Sequence, residues 1–183
     1  MLLKLSKKHD LFEASKNIDN YLSVENLEFS LKHSCHIIID CAKLSSLRKL
    51  YIYAQAQCKL TLSNAQELEI LKLKGVCNLQ ELAGSHLKNL KILQLANCNL
   101  TILPNWCVEQ SKLESLELQN NQLTTLPNEF EWLKELRRLN IDNNKFEQVP
   151  RVLATIEKLH HLSCDNNEIT DENLYDFRRL KNS

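Results

Sequence analysis

His161, Ser163 and Asp165 alternate along "HLSCD" and together carry the residue types of a hydrolytic triad: a hydroxyl nucleophile, an imidazole base and a carboxylate. If this segment is a strand, all three side chains leave the same face, with neighbours two apart standing roughly 6.7 Å from one another and parallel. A triad needs its heavy atoms near ~3 Å, with the base between its partners. The chain has only two glycines, so no glycine-framed oxyanion hole accompanies the set. These spacings point to a solvated sheet face, and no catalytic residues are expected.

A second group, "HSCHIIIDC", offers His33, Cys35, His36 and Cys41 as soft and borderline metal ligands. Zinc sites pair ligands two to four residues apart and add a second such pair further on, and this spacing does not match. Ile37 to Ile39 read instead as core residues, so an irregular loop with incidental ligand types is expected, with no metal and no cofactor. Scarce glycine also argues against phosphate-cradling loops. The seven cysteines, at 35, 41, 58, 77, 98, 107 and 164, include no CxxC. With no signal-peptide core in "MLLKLSKKHD", reduced thiols and a cytoplasmic location are expected.

The third group is made of side-chain amides. In "LESLELQNNQLTTLP", Leu113, Leu116, Leu118, Leu123 and Leu126 surround Asn121. The same offsets hold Leu90, Leu93, Leu95, Cys98, Leu100 and Leu103, then Leu136, Leu139, Ile141, Asn144, Phe146 and Val149. Leu159, Leu162, Cys164, Asn167 and Ile169 open a further copy, so the starts fall 23 residues apart at 90, 113, 136 and 159. An amide can donate and accept at once. Asn121, Asn144 and Asn167 would therefore form a ladder satisfying the backbone where each strand turns, with Cys98 and Cys77 serving more weakly.

These asparagines must be positioned by a strand, a turn and a return. "SLELQ" alternates, turning Leu116 and Leu118 inward and Ser115, Glu117 and Gln119 outward. Phe130 with Leu133, and Leu153 with Ile156, would point inward from short helical returns. Upstream, Leu68, Leu71 and Leu73 start a copy whose Cys77, Leu79 and Leu82 sit one place late, as if Gly75 or Val76 were a bulge. Weaker copies start at Leu47 and Val24, and Leu3 and Leu5 suggest a remnant of another.

The motif LxxLxLxxNxL, followed by Leu-Pro, resembles the leucine-rich-repeat family, in particular its intracellular 23-residue subclass. The resemblance implies an α/β fold: a right-handed leucine-rich-repeat solenoid or horseshoe, with a parallel sheet on the concave side and short helices or 3-10 turns on the convex side. One domain would span 1–183. Residues 1–23 would be an N-terminal cap or degenerate repeat, with Leu11, Ile18, Tyr21 and Leu22 lining it. Repeats would start near 24, 47, 68, 90, 113, 136 and 159. A capping helix over 170–183 would begin at Thr170 or Asp171 and bury Leu174, Phe177 and Leu180. One repeat cannot bury its own apolar face, so stability must come from stacking.

Function on such a scaffold belongs to the outward strand positions, which read Asn26, Glu28, Ser30; Lys49, Tyr51, Tyr53; Ile70, Lys72, Lys74; Ile92, Gln94, Ala96; Ser115, Glu117, Gln119; Arg138, Asn140, Asp142; and His161, Ser163, Asp165. Seven strands give a face roughly 30 Å across, wide enough for an epitope of about 800 Å². Tyr51, Tyr53, Ile70 and Ile92 form an apolar cluster flanked by Lys49, Lys72 and Lys74, while Glu117, Asp142 and Asp165 make the far end acidic. The partner-binding set is then Lys49, Tyr51, Tyr53, Ile70, Lys72, Lys74, Ile92, Gln94, Glu117, Gln119, Arg138, Asn140, Asp142, His161 and Asp165. The competing interpretation is that the apolar cluster lies under the N-terminal cap.

Lys plus Arg and Asp plus Glu balance at 23 each, so no overall field favours nucleic acid or anionic lipid. No apolar run is long enough for a transmembrane helix. A monomeric, non-enzymatic protein-binding module is expected. The resemblance implies a signalling scaffold or regulator, or a bacterial effector entering a host cytosol. The alternative is a hydrolytic or metal-dependent enzyme with its site on the concave face.

Overall fold

In a computed structural model, residues 2–5, 23–84 and 87–173 are described. They form nine strands: β1 (Leu2–Leu5), β2 (Asn26–Leu31), β3 (Cys35–Asp40), β4 (Lys49–Ser63), β5 (Ile70–Val76), β6 (Ile92–Ala96), β7 (Ser115–Glu117), β8 (Arg138–Asn140) and β9 (His161–Ser163). All pairings are parallel, and the main sheet runs β1-β2-β4-β5-β6-β7-β8-β9 in chain order, with β3 pairing β4 off this path. A parallel sheet in chain order, closed by a crossover after each strand, is a coil that advances one strand per turn.

The repeat starts define the core. Val24, Leu47, Leu68, Leu90, Leu113, Leu136 and Leu159 are all enclosed, and so are the inward strand residues Leu71, Leu73, Leu93, Leu95, Leu116 and Leu118. Leu116, Leu139 and Leu162 stand in register across β7, β8 and β9. Leu3 and Leu5 of β1 continue the rows of Leu27 and Phe29, so the suspected N-terminal remnant adds a strand to the sheet. Leu162, Cys164 and Ile169 in the last described repeat are half-buried against the core. Cys164 takes the place of an inward leucine, yet among the described residues its repeat has a neighbour on one side only.

The expected 3-10 returns occur after Leu103-Pro104, Leu126-Pro127 and Val149-Pro150, at Asn105–Cys107, Asn128–Trp132 and Arg151–Thr155. They bury Trp106, Phe130, Leu133, Leu153 and Ile156. The early repeats depart from this. β4 runs 15 residues without a break. Its first part pairs with β2 and its second part with β3, from Cys35 opposite Cys58 to Asp40 opposite Ser63. The return side here is a second parallel wall, with only a short 3-10 turn at Cys41–Lys43 after β3. Ile37 and Ile39 are buried as expected, but Ile38, read as core, is 72% exposed because the strand alternates.

The irregularity near Gly75 is also resolved. Between Tyr53–Lys74 and Cys58–Val76 the register slips, so Ala54–Gln57 of β4 stand opposite Gly75 alone. The surplus residues therefore lie in β4. Gly75 has φ +74°, and a Cβ there would stand 2.4 Å from the Ala54 carbonyl oxygen, which only glycine avoids. The slip exposes Cys77 and buries Asn78. Asn78 Oδ1 accepts from Leu60 N–H at 2.8 Å and its Nδ2 donates to Leu60 O at 3.0 Å. The ladder role given to Cys77 therefore belongs to Asn78.

The capping segments proposed at Leu11, Ile18, Tyr21 and Leu22, and at Leu174, Phe177 and Leu180, lie outside the described residues. Helix begins at Asp171, and Thr170 Oγ1 accepts from Asn173 N–H at 3.4 Å, as an N-cap does.

Candidate functional site on the sheet face

Turn chemistry fixes the sheet and thereby the face it presents. Asn121 Oδ1 accepts from the N–H groups of Cys98 and Leu100 at 3.0 and 3.1 Å, and its Nδ2 donates to the carbonyls of Leu95 and Leu118 at 2.7 and 2.8 Å. Asn144 accepts from Leu123 N–H at 3.0 Å and donates to Leu118 O and Ile141 O at 3.0 Å each. Asn167 repeats the pattern with Phe146, Ile141 and Cys164. Cys98 fills the equivalent place and reaches the carbonyls of Leu73 and Ala96 only at 3.6 and 3.4 Å, the weaker form expected of a thiol. Asn97, Asn120, Asn143 and Asn166 take positive φ beside these ladder positions, a conformation asparagine tolerates better than most residues.

With the strands held this way, outward side chains fall into three rows. The first runs Asn26, Lys49, Ile70, Ile92, Ser115, Arg138, His161; the second Glu28, Tyr51, Lys72, Gln94, Glu117, Asn140, Ser163; the third Ser30, Tyr53, Lys74, Ala96. Tyr51 thus stands between Glu28 and Lys72, and Tyr53 beside Lys74. Tyr53 is 37% exposed, and Tyr51, Ile70 and Ile92 are half-buried on the same face. Burial, and next the Glu28 carboxylate, push both tyrosine hydroxyls above their ordinary value. Both stay protonated and able to donate at neutral pH.

Ala96, expected to face outward, is buried. Gln119 is half-buried with its Oε1 enclosed and unpaired, so it offers less to a partner than its position suggested. Asp142 is committed within the fold: its carboxylate accepts from Ser163 Oγ at 2.7 and 2.9 Å and from Asp165 N–H at 2.7 Å. Asn140 Oδ1 accepts from Asp142 N–H at 2.9 Å. Glu117, Arg138, His161 and Asp165 remain at least partly open on this end, and Glu117, Arg138, Asn140, His161 and Ser163 line a shallow open depression there.

The Ser163 hydroxyl thus faces a carboxylate from the neighbouring coil, not an imidazole, so the triad residues are not assembled as a triad. His36 Nε2 is 2.8 Å from Thr61 Oγ1, and Cys35 Sγ is 3.1 Å from Cys58 Sγ, while Cys41 is buried. Among the described residues no three His, Cys, Asp or Glu side chains converge as a metal-binding group, and no helix is long and apolar enough to cross a membrane. Sequence reading gave no role to two further exposed apolar residues, Ile102 at 70% and Trp132 at 54%. Neither occupies an outward strand position, where alternation would have marked it.

Coil, ladder and open sheet wall define a solenoid of stacked leucine-rich turns. A leucine-rich-repeat family profile matches residues 88–146, and the same register continues on both sides of that segment. The chain has the leucine-rich-repeat fold. No curated protein sequence matches it. Among solved structures it is similar to an internalin C2 from Listeria monocytogenes, with 27% identity and a TM-score of 0.59 over 70% of this chain and 56% of that one. It also resembles the plant peptide hormone receptor RGFR1, solved in complex with RGF2, at 22% identity and a TM-score of 0.61 over 83% of this chain and 26% of the receptor. The leucine-rich-repeat ectodomain of the receptor kinase GASSHO1 from Arabidopsis thaliana gives 20% identity and a TM-score of 0.54, over 91% and 24%. The chain therefore spans less than two thirds of each of these neighbours.

Proposed function

We propose that this chain is a non-enzymatic binding module whose concave sheet face holds a protein partner, acting as a scaffold in the cytoplasm. The observation that carries this reading is the in-register cluster of Tyr51, Tyr53, Ile70 and Ile92 beside Lys49, Lys72 and Lys74. Tyrosines on a rigid strand offer large contact area at little entropic cost. Three lysines around them favour a partner segment that carries apolar side chains flanked by carboxylates. The receptor similar to this chain was solved with a bound partner, which supports the same use of the fold. The commitment of the Ser163 hydroxyl to Asp142 weighs against a hydrolytic site on this face.

The test is capture by the wild type, the Tyr51→Ala/Tyr53→Ala variant and an Ile102→Ala control. A partner held by wild type and control should bind the tyrosine variant at least about tenfold more weakly. Equal retention by all three would place the binding surface elsewhere.

A further inference from the structure

Behind the proposed binding face, the return wall holds two cysteines from successive coils. Cys35 of β3 and Cys58 of β4 are register partners on paired parallel strands. Such strands run about 4.8 Å apart, inside the Cα separation of 4.4–6.8 Å that a disulfide requires. Their sulfurs already stand 3.1 Å apart, so closure to a bond of about 2.05 Å asks for a movement of roughly 1 Å. Cys58 is fully enclosed, whereas Cys35 is half-buried and open to a small reagent. Cys58 Sγ also lies 3.5 Å from the His33 carbonyl, which holds it near the rim of the wall.

We propose that Cys35 and Cys58 form an oxidisable dithiol that closes into a reversible disulfide, stapling the coil of β2 and β3 to the coil of β4. The oxidant is a low-molecular-weight disulfide such as oxidised glutathione. The Cys35 thiolate attacks one of its sulfurs, the small S–S bond breaks, and one glutathione thiolate leaves. Cys58 then gives up its proton and attacks Cys35 Sγ, expelling the second glutathione thiolate. Two protein thiols lose two electrons and two protons, and the small disulfide takes up both to become two thiols. Reduced surroundings keep the pair open, and an oxidising milieu sets it.

Burial, with the adjacent Cys58, pushes the Cys35 thiol up to about 12. Little thiolate exists at neutral pH, so closure is slow there and quickens about tenfold per pH unit on going from roughly 7 to 9. Cys77 is exposed and lies beside Cys58, with its Sγ 3.4 Å from the Cys58 carbonyl. It is the natural competitor, able to take a mixed disulfide without closing the pair.

The experiment incubates folded protein with oxidised glutathione, counts free thiols, maps cross-linked peptides without reduction and follows melting. Wild type should fall from seven free thiols to five once mixed disulfides at other cysteines are subtracted. It should yield a Cys35–Cys58 peptide and melt about 5–10 °C higher, and dithiothreitol should reverse all three. Cys77→Ser should retain the cross-link. Cys35→Ser, at a position that is not fully enclosed, should fold, lose the cross-link and melt at one temperature with or without the oxidant. A cross-link mapping to Cys77, modification confined to mixed disulfides, or a Cys35→Ser variant that still gains stability on oxidation would overturn the proposal.

Discussion

The early coils, from Val24 to Val76, and the later ones, from Ile92 to Ile169, solve one problem in two ways. Each must turn the backbone after an inward-facing strand without stranding N–H and C=O groups. The later coils end their strands after three to five residues. They pass the unpaired groups to a buried asparagine, or to Cys98, at the ninth place of the repeat. In the coils starting at Val24 and Leu47 that place holds Lys32 and Gln55, which are exposed. There the chain stays extended, and β3 and the second part of β4 pair with each other. Where the sequence supplies an amide, a side chain ties the coils; where it does not, the backbone does so itself.

The sharpest way to break this contrast is to remove the side chain at the ninth place in each region. Asn144→Ala should cost about 3 kcal/mol, because three or more buried hydrogen bonds lose a partner together. Gln55→Ala should change stability by less than about 0.5 kcal/mol. Urea unfolding of both variants measures this, and equal losses would mean that the two regions do not differ as described. Next in size is the seam between them. Gly75→Ala must hold a positive φ and meet the Ala54 carbonyl at 2.4 Å, so it should cost about 2 kcal/mol. Hydrogen exchange should show the loss at β4 and β5 before the later coils. Smaller than either of these losses should be a gain. Cys98→Asn puts an amide where a thiol now reaches two carbonyls at 3.4 and 3.6 Å, and about 0.5–1 kcal/mol of added stability is expected. A drop in melting temperature would mean that this turn is shaped around sulfur.

The later coils were legible because their chemistry is local to one repeat. A leucine every 23 residues, an asparagine at a fixed offset and a Leu-Pro pair each state what the backbone does there. The returns that bury Phe130 and Leu153 follow directly. The early coils hid their second wall, because "CHIIID" alternates no more clearly than a loop would unless its partner 23 residues on is also known to be extended. Likewise Cys77 and Asn78 exchange roles through a register slip whose surplus lies in the preceding repeat, beyond the reach of local spacing. On the open sheet face, the rows were readable from strand alternation, but availability was not. Ala96 is buried although it keeps its outward register position, and Asp142 is taken by Ser163 and Asp165, contacts that exist only once two coils are stacked. The cluster of Tyr51, Tyr53, Ile70 and Ile92 has the positions the sequence assigned to it.

β4 crosses from the open sheet wall to the return wall without interruption, so it behaves as a beam rather than a rung. A pull exerted on Tyr53 is carried lengthwise into the pairing with β3, and many interstrand bonds share the load in shear. The three-residue strands at the other end have no such reserve, so under tension the stack should unravel from there and leave the tyrosine-bearing end intact.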